Sequence, residues 1–411
     1  MADKFKEPRG TFDVLPEQSA QRRRLMRAAR EIFGRAGYRN IVTPSFEDTA
    51  LFERGVGKST DIVRKEMFTF EDKGGRSLTL RPEGTAPICR AYVEHGMHKL
   101  PQPVKLAYSG PFFRHERPQA GRYRQFNQIG AEAIGSASPL ADVEVITLLS
   151  DLLEEMGVPG VELHLGSLGS IEARAAYLEE LKSHLRSRSG ELSDDVRERI
   201  EINPLRAFDS DDSGTQAVMA DAPHLLDHLD TADAEHFEEV KELLGAASVE
   251  FTIDPTLVRG LDYYTRTIFS FVCSELGAQS EIGGGGRYDG LIKQLGGPDT
   301  PAIGWAAGIE RILLALDEEV ELPGTDLFIA VGGKEQQAKA VALASELRHH
   351  GLSVELDLAG RSMKGQLKQA DRIRSANTLV FEEDGVAWLR NSASNERQQV
   401  EPAQVLDLIR P

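Results

Sequence analysis

The spacing of apolar residues predicts an amino-terminal helix followed by short strands. Between residues 17 and 36, Leu25, Ala29 and Phe33 recur at helical spacing while arginines occupy the other faces. Gly37 follows and is expected to end the helix. Beyond it, short apolar runs typical of strands are followed by one more amphipathic helix. The runs cover 78–80, 104–108 and 125–134, and the helix is predicted over 139–156.

The middle of the chain changes character twice. Residues 170–248 are acidic and rich in helix-forming residues, with breaks at Pro204 and Pro223. Strand patterns return at 265–273 and 281–283, and a helix is predicted from about 304 to 316. Strands that are interrupted by a helical block and then resume indicate an α+β fold, in which an antiparallel core carries an insertion.

The last part of the chain is predicted to be a separate domain. After a linker-like sequence at 322–324, strand patterns alternate with helices near 334–350 and 361–374. This alternation is typical of a small α/β domain with a mainly parallel sheet. We therefore expect a core from 1–169 and 249–322, an insertion at 170–248 and a carboxy-terminal domain at 323–411.

The composition is that of a folded protein without disulfides or a zinc site. The 411 residues are 40% hydrophobic and 27% charged. Cys89 and Cys273 lie far apart with no Cys/His cluster, which favours a reducing cytoplasm. The amino terminus lacks an apolar signal segment, and no run of 18 apolar residues occurs. We expect a cytoplasmic protein with no membrane partner.

The net charge of −17 argues at first against a nucleic-acid partner, because phosphate binding needs Lys and Arg. The distribution changes that conclusion, since sixteen acidic and only four basic residues lie between 190 and 245. In contrast, residues 361–374 carry five basic residues and one acidic residue. The negative excess is local, so the sequence is compatible with a nucleic acid bound at separate basic patches.

Two glycine-rich stretches imitate nucleotide-binding motifs without completing them. The stretch from Gly55 to Thr60 resembles the end of a phosphate-binding loop, but Phe52 stands where that loop requires its first glycine. The run 283–286 lacks the fingerprint of a dinucleotide-binding βαβ unit. Four consecutive glycines favour a close approach to a ligand over a simple turn.

The arginine-rich segment 114–124 is the strongest candidate for an anion site. It holds four arginines against one glutamate, and guanidinium groups bind phosphate through paired hydrogen bonds. Pro118 and Gly121 predict a hairpin turn here, and a merely solvated basic hairpin is the alternative. Arg259 and Arg311 lie in apolar or glycine-rich surroundings, where a buried arginine needs an anion.

Paired tyrosines and a carboxylate in a turn are further polar candidates. Tyr263 and Tyr264 stand at a strand entrance, where their hydroxyls orient a polar heterocycle or their rings simply pack. Glu83 is placed either to hold an ammonium group or to stabilise the N-terminus of a helix. From the residues alone, both alternatives stay open in each case.

Taken together, these segments resemble the histidyl-tRNA synthetases, which are class II aminoacyl-tRNA synthetases. The stretches 41–44, 113–126 and 304–311 match the three class II motifs, and 257–264 and 284–291 match signatures of the histidine enzymes. The resemblance implies a class II antiparallel-sheet catalytic core with a helical insertion, followed by an α/β anticodon-binding domain.

The resemblance also implies an activity and its partners. The reaction is ATP-dependent attachment of L-histidine to tRNA(His) through histidyl-adenylate, by a homodimer that takes ATP with Mg²⁺ and has no tightly bound metal of its own. The alternative is the histidine-sensing regulatory subunit of ATP phosphoribosyltransferase, which lacks the anticodon-binding domain and the arginine signatures. This chain has Arg114, Arg259 and Arg311.

Individual roles follow from the same resemblance. Arg259 and Arg114 are implied to be catalytic, beside the α-phosphate. The residues implied to bind histidine are Glu83, Gly84, Thr85, Arg114, Gln128, Glu132, Arg259, Tyr263 and Tyr264. The residues implied to bind ATP are Arg114, Glu116, Phe126 and Arg311. In the last domain, 381–390 departs from the family pattern, so tRNA phosphates are expected at Arg361, Lys364 and Lys368.

Overall fold

The chain divides into two compact units, Met1–Glu319 and Val320–Pro411. The computed structural model describes residues 5–57, 60–318 and 322–410. Lys58 and Ser59, which belong to the stretch resembling a phosphate-binding loop, lie outside the described residues. The helix Thr49–Gly55 leads into that stretch, whereas a phosphate-binding loop follows a strand.

The first unit is built around a large, mostly antiparallel sheet. Its strands in chain order are β1 (Arg39–Asn40), β2 (Phe46–Asp48), β3 (Phe68–Glu71), β4 (Ser77–Leu80), β5 (Val104–Phe113), β6 (Gln125–Ile134), β7 (Val161–Ser167), β8 (Thr252–Ile253), β9 (Thr265–Cys273), β10 (Glu281–Arg287) and β11 (Ala302–Gly308). Among the described residues, eight of them form one sheet in the order β1-β5-β6-β11-β10-β9-β7-β8. Pairing from β5 through to β7 is antiparallel throughout.

Helices supply the apolar side chains that pack against this sheet. They are α1 (Pro16–Arg35), α2 (Thr49–Gly55), α3 (Thr85–Glu94), α4 (Pro139–Met156), α5 (Ile171–Ser187), α6 (Asp194–Arg199), α7 (Ser213–Met219), α8 (Thr231–Ala246), α9 (Leu291–Gln294) and α10 (Ile309–Leu316). Leu25 of α1, Leu149 of α4 and Ile312 of α10 are fully buried in one core with Trp305. Each such side chain contributes about 1.5–3 kcal/mol through its burial.

Most predicted elements of the first unit are confirmed, and one prediction was wrong. The predicted helix over 139–156 is Pro139–Met156, and the predicted strand over 265–273 is Thr265–Cys273. However, Ala302–Gly308 is a strand, so the helix predicted from 304 begins only at Ile309. The strand predicted at 281–283 continues through the glycines to Arg287.

Close approach of neighbouring groups explains why the full extent of these two glycine-rich strands was not predicted. A Cβ atom at Gly304 would overlap the carboxylate of Glu132, and one at Gly284 would lie 2.8 Å from Nη1 of Arg259. Glycine weakens a strand because it offers no side chain to pack, so a local pattern does not predict a strand here. The space that these glycines leave is occupied by the side chains of Glu132 and Arg259, which other parts of the chain supply.

The second unit has a mixed sheet. Its strands are β12 (Leu327–Val331), β13 (Val354–Leu356), β14 (Asn377–Phe381), β15 (Ala387–Asn391) and β16 (Arg397–Gln399), and its helices are α11 (Lys334–His349), α12 (Met363–Arg372) and α13 (Val405–Ile409). Strand β12 pairs in parallel with β13 and β14, but β15 and β16 pair antiparallel, so the prediction of a mainly parallel sheet was wrong. In the described parts of both units, no helix is long and apolar enough to cross a membrane.

Candidate active site

The predicted site residues gather around one cleft of about 380 Å³ in the first unit. Its floor includes the glycines of β10, and its walls come from β6, the loop 114–124 and the segment before β9. The predicted residues that line it are Glu83, Gly84, Thr85, Arg114, Glu116, Phe126, Gln128, Arg259, Tyr263, Tyr264 and Arg311. Glu132 alone among the predicted residues does not line the cleft.

Two of the cleft arginines are held by backbone carbonyl groups. Arg114 donates from Nε to the Pro82 carbonyl at 2.9 Å, and its guanidinium carbon lies 5.4 Å from the centre of the Phe126 ring. Arg311 donates from Nη1 to the Glu281 carbonyl at 2.5 Å and from Nε to the Gly121 carbonyl at 3.2 Å. Carbonyl groups orient a guanidinium without cancelling its charge, so these contacts fix where the two positive charges lie in the cleft.

The third arginine, Arg259, is paired with a carboxylate that sequence reasoning missed. Its Nη1 and Nη2 donate to the two carboxylate oxygens of Glu281, at 2.8 and 3.3 Å. Burial disfavours both charges, but the pairing outweighs it, raising the pKa of Arg259 and lowering the pKa of Glu281. The buried arginine thus has its anion within the chain, as expected of a buried charge.

Glu83 stands at the N-terminus of α3 and makes the helix-stabilising contacts that were one of its two alternatives, while its binding of an ammonium group stays a prediction. Its carboxylate accepts hydrogen bonds from the backbone N–H groups of Thr85 and Ala86, at 2.7 and 3.0 Å. The Tyr263 hydroxyl approaches it at 3.4 Å. Burial raises its pKa, while the backbone donors act in the opposite direction. The carboxylate caps a helix and also faces the cleft.

Glu132 lies behind the cleft wall. It is fully buried and accepts hydrogen bonds from the Thr85 hydroxyl at 2.8 Å and from the Tyr288 hydroxyl at 2.6 Å. Burial raises its pKa to about 8. Glu132 is therefore separated from the cleft and connected to it through the hydrogen bond with Thr85. Its direct contact with histidine stays a prediction.

Several polar groups of the cleft wall have no partner in the described part of the chain. They include the Gln128 side-chain carbonyl and the hydroxyl of Tyr108, a residue that sequence reasoning missed. Glu116, by contrast, contacts Arg122 and lies 3.7 Å from Arg114. Buried polar atoms without partners mark positions where a polar ligand restores the missing hydrogen bonds.

The acidic segment predicted to be an insertion, 170–248, also contributes to the cleft, which sequence reasoning missed. Arg206 and Asp209 line it and pair with each other at 2.6 Å. Arg206 also lies 3.6 Å from Asp61. Nothing in the local sequence around Pro204 indicates that this segment lies against a cleft formed by distant strands. Among the described residues, no group of three or more His, Cys, Asp or Glu side chains is arranged to hold a metal ion.

Comparison with known proteins identifies the family. Residues 10–312 match the family model of histidyl-tRNA synthetase, and residues 326–410 match an anticodon binding domain. The chain belongs to the histidyl-tRNA synthetase family. It is a class II synthetase that attaches histidine to its tRNA with ATP, and the regulatory-subunit alternative is less supported.

Relatives match over nearly the whole chain. The histidine–tRNA ligase of Thermosynechococcus vestitus is 47% identical over 97% of this chain and 95% of its own, and that of Rubrobacter xylanophilus is 47% identical over 96% of both. The crystal structure of apo Staphylococcus aureus histidyl-tRNA synthetase has a TM-score of 0.83 and 37% identity, covering 99% of this chain and all of its own. The predicted fold class and the predicted family are thereby confirmed.

Proposed function

We propose that the cleft carries out both steps of histidylation. Histidine carboxylate attacks the α-phosphate of ATP to form histidyl-adenylate with release of pyrophosphate. The terminal tRNA hydroxyl then attacks the acyl carbon, which forms the histidyl ester and releases AMP. The observation that carries the proposal is the convergence of Arg114, Arg259 and Arg311 on one cleft. Phosphoryl transfer needs positioned positive charge more than a covalent nucleophile.

Arg114 is proposed to hold the α-phosphate and the substrate carboxylate together. Its hydrogen bond to the Pro82 carbonyl uses only Nε, and an incoming phosphate would compete with the Glu116 carboxylate, 3.7 Å away, for Nη1. Phe126, whose ring centre lies 5.4 Å from the guanidinium carbon, offers a surface on which adenine stacks. Glu116 is proposed to accept from the exocyclic amine of adenine. Its neighbour Arg122 already contacts the same carboxylate, so only part of that acceptor capacity is available.

Arg259 is proposed to act beside the α-phosphate and Arg311 at the terminal phosphate. Both are permanently charged, which suits them to stabilising negative charge as it develops. ATP is proposed to enter as its Mg²⁺ complex, in which the metal belongs to the substrate and neutralises phosphate charge. This assignment requires no resident metal ligands from the chain.

Histidine is proposed to lie between the start of α3 and the tyrosine pair. Glu83, Thr85 and Gln128 would bind its ammonium group, with the Gly84 backbone alongside. Glu132, Tyr263 and Tyr264 would surround the imidazole. Because Glu132 is bonded to Thr85, the proposed ammonium and imidazole subsites share one hydrogen-bond chain. An apolar competitor would leave these buried polar groups unpaired.

The remaining proposals concern organisation. We propose a cytoplasmic homodimer formed through the first class II motif, with domain limits at 170–248 for the insertion and 323–411 for the anticodon-binding domain. In that domain, Arg361, Lys364 and Lys368 lie in or just before α12 and offer positive charge to tRNA phosphates.

Histidine-dependent ATP–pyrophosphate exchange, followed by charging of tRNA(His), tests the proposal with the full chain. We expect exchange that requires histidine and a charged tRNA that releases histidine on mild base treatment. A protein that binds histidine but supports neither exchange nor charging would be a sensor, and the proposed chemistry would then be wrong.

A further inference from the structure

Glu281 connects the two arginines proposed to act on the phosphates. Its side chain pairs with Arg259, while its main-chain carbonyl accepts from Nη1 of Arg311 at 2.5 Å. Ser270 donates to the same carboxylate at 3.1 Å. This residue begins β10, at the edge of the cleft where negative charge from ATP is proposed to lie.

The pair is asymmetric in its exposure. The Arg259 side chain is 12% exposed, whereas that of Glu281 is 43% exposed. The arginine also lies over Tyr264, with its guanidinium carbon 5.8 Å from the ring centre. Glu281 is the member that water can solvate if the pair separates, and Arg259 is the member that must keep an anion nearby.

The pair also occupies the donors that a phosphate requires. Glu281 takes both terminal nitrogens of Arg259, and Nε of Arg259 is buried without a partner in the described part of the chain. Bidentate binding of a phosphate or carboxylate needs two parallel donors. An incoming anion must therefore release at least one of the nitrogens that Glu281 holds.

We infer that Glu281 is an internal counter-ion for Arg259, which occupies the arginine in the empty enzyme and is displaced by the substrate anion. The inference rests on the proposed role of Arg259. While the cleft is empty, Glu281 compensates the charge of the buried guanidinium and keeps it in position, and it lowers the affinity for ATP by competing with the phosphate. Glu281 is thus a positioning residue that also sets the substrate requirement.

The test compares Glu281→Gln with Glu162→Gln, which removes an exposed carboxylate from the nearby strand β7. Because the amide does not compete as an anion, we expect the KM for ATP in pyrophosphate exchange to fall about tenfold in Glu281→Gln and to stay unchanged in the control. The thermal midpoint without ligand should fall, while its increase on adding Mg²⁺-ATP should grow. Ser270→Ala should change each quantity in the same direction by less.

Other outcomes overturn the inference. An unchanged or raised KM for ATP in Glu281→Gln contradicts competition, and a raised Mg²⁺ requirement would make Glu281 a ligand of the substrate's metal instead. The variant Arg259→His distinguishes failure of this inference from failure of the proposed role of Arg259 beside the α-phosphate. If Arg259→His keeps normal exchange, the proposed role of Arg259 is wrong; if it loses exchange while Glu281→Gln does not tighten ATP, only the counter-ion inference is wrong.

Discussion

Two arginine–carboxylate pairs stand at opposite ends of β10 and differ in almost every physical respect. At its start, Glu281 pairs with Arg259 beside the cleft. At its end, Arg287 pairs with Asp142 of α4 at 2.5 Å, and both side chains are 0% exposed. Asp142 is also 2.7 Å from Nε2 of His236.

The hydrogen bonds of the two arginines explain the difference. Arg287 donates to Asp142 and also to the carbonyls of Ser136 and Ser138, both at 2.9 Å. Arg259 instead pairs with the half-exposed Glu281, and its buried Nε has no hydrogen-bond partner among the described residues. An arginine enclosed by protein acceptors stabilises the frame, whereas one with an exchangeable partner is available to a ligand.

Breaking the enclosed pair of Arg287 and Asp142 should give the largest effect, a loss of stability. In Arg287→Met, Asp142 would remain buried without its cation, so the free energy of unfolding should fall by about 3–5 kcal/mol. Urea denaturation followed by circular dichroism measures it. Replacing Asp142 by Leu as well should recover part of the loss. A single variant as stable as the wild type would contradict a framing role.

Breaking the pair of Arg259 and Glu281 beside the cleft should affect catalysis instead of stability. Arg259→His should lower histidine-dependent ATP–pyrophosphate exchange about 10³-fold, because charge beside the α-phosphate is lost, while the urea midpoint changes little. Exchange rates and denaturation are measured on the same preparation. Near-normal exchange in a folded variant, or a loss of stability comparable to that of Arg287→Met, would remove the distinction between the two pairs.

Glu132 tests whether a fully enclosed acid can still belong to the cleft. Glu132→Ala should raise the KM for histidine about 10- to 100-fold and leave that for ATP nearly unchanged, because Thr85 and Tyr288 lose their shared acceptor. Steady-state exchange with each substrate varied in turn measures both constants. Equal changes for histidine and ATP would assign Glu132 to the frame alone.

The same carboxyl group predicts a pH dependence of stability. Burial raises its pKa from the ordinary 4.5 to about 8, so between these values the folded state binds more protons than the unfolded state. Stability should therefore fall as pH rises through this window, by up to about 1.4 kcal/mol per pH unit from this group. Glu132→Gln should lack that component. The measurement is the free energy of unfolding of both proteins from about pH 5 to 8. The same dependence of that free energy on pH in both proteins would contradict the prediction.

The smallest effect is expected for a pair in the insertion. Arg186 binds both carboxylate oxygens of Glu201, at 2.7 and 2.6 Å, but both side chains are largely exposed. Water and salt screen such a pair, so Glu201→Gln should leave the denaturation midpoint within error of the wild type. A clear loss of stability would show that exposure does not decide what these pairs do.

Individual helices, strands and residues show which features of this protein can be predicted from its sequence. Helix α4 and strand β9 have strong periodic patterns and were predicted to the residue. Arg114, Arg259 and Arg311 were singled out by their local surroundings before the fold brought them together. The full extent of the glycine-rich strands β10 and β11 was not predicted, because glycines carry no strand pattern and the side chains of Arg259 and Glu132 that lie above them come from elsewhere in the chain.

The amino-acid sequence by itself determined the class of fold, the family and the residue types of the site, since periodicity and motifs are local properties of the chain. Only the tertiary structure decided which charges face each other. Glu281 became the partner of Arg259, Asp142 that of Arg287, and Asp209 of the insertion a wall of the cleft. The physical reason is that the strength of an ion pair depends on burial and on competing partners, which chain segments far apart in sequence supply together.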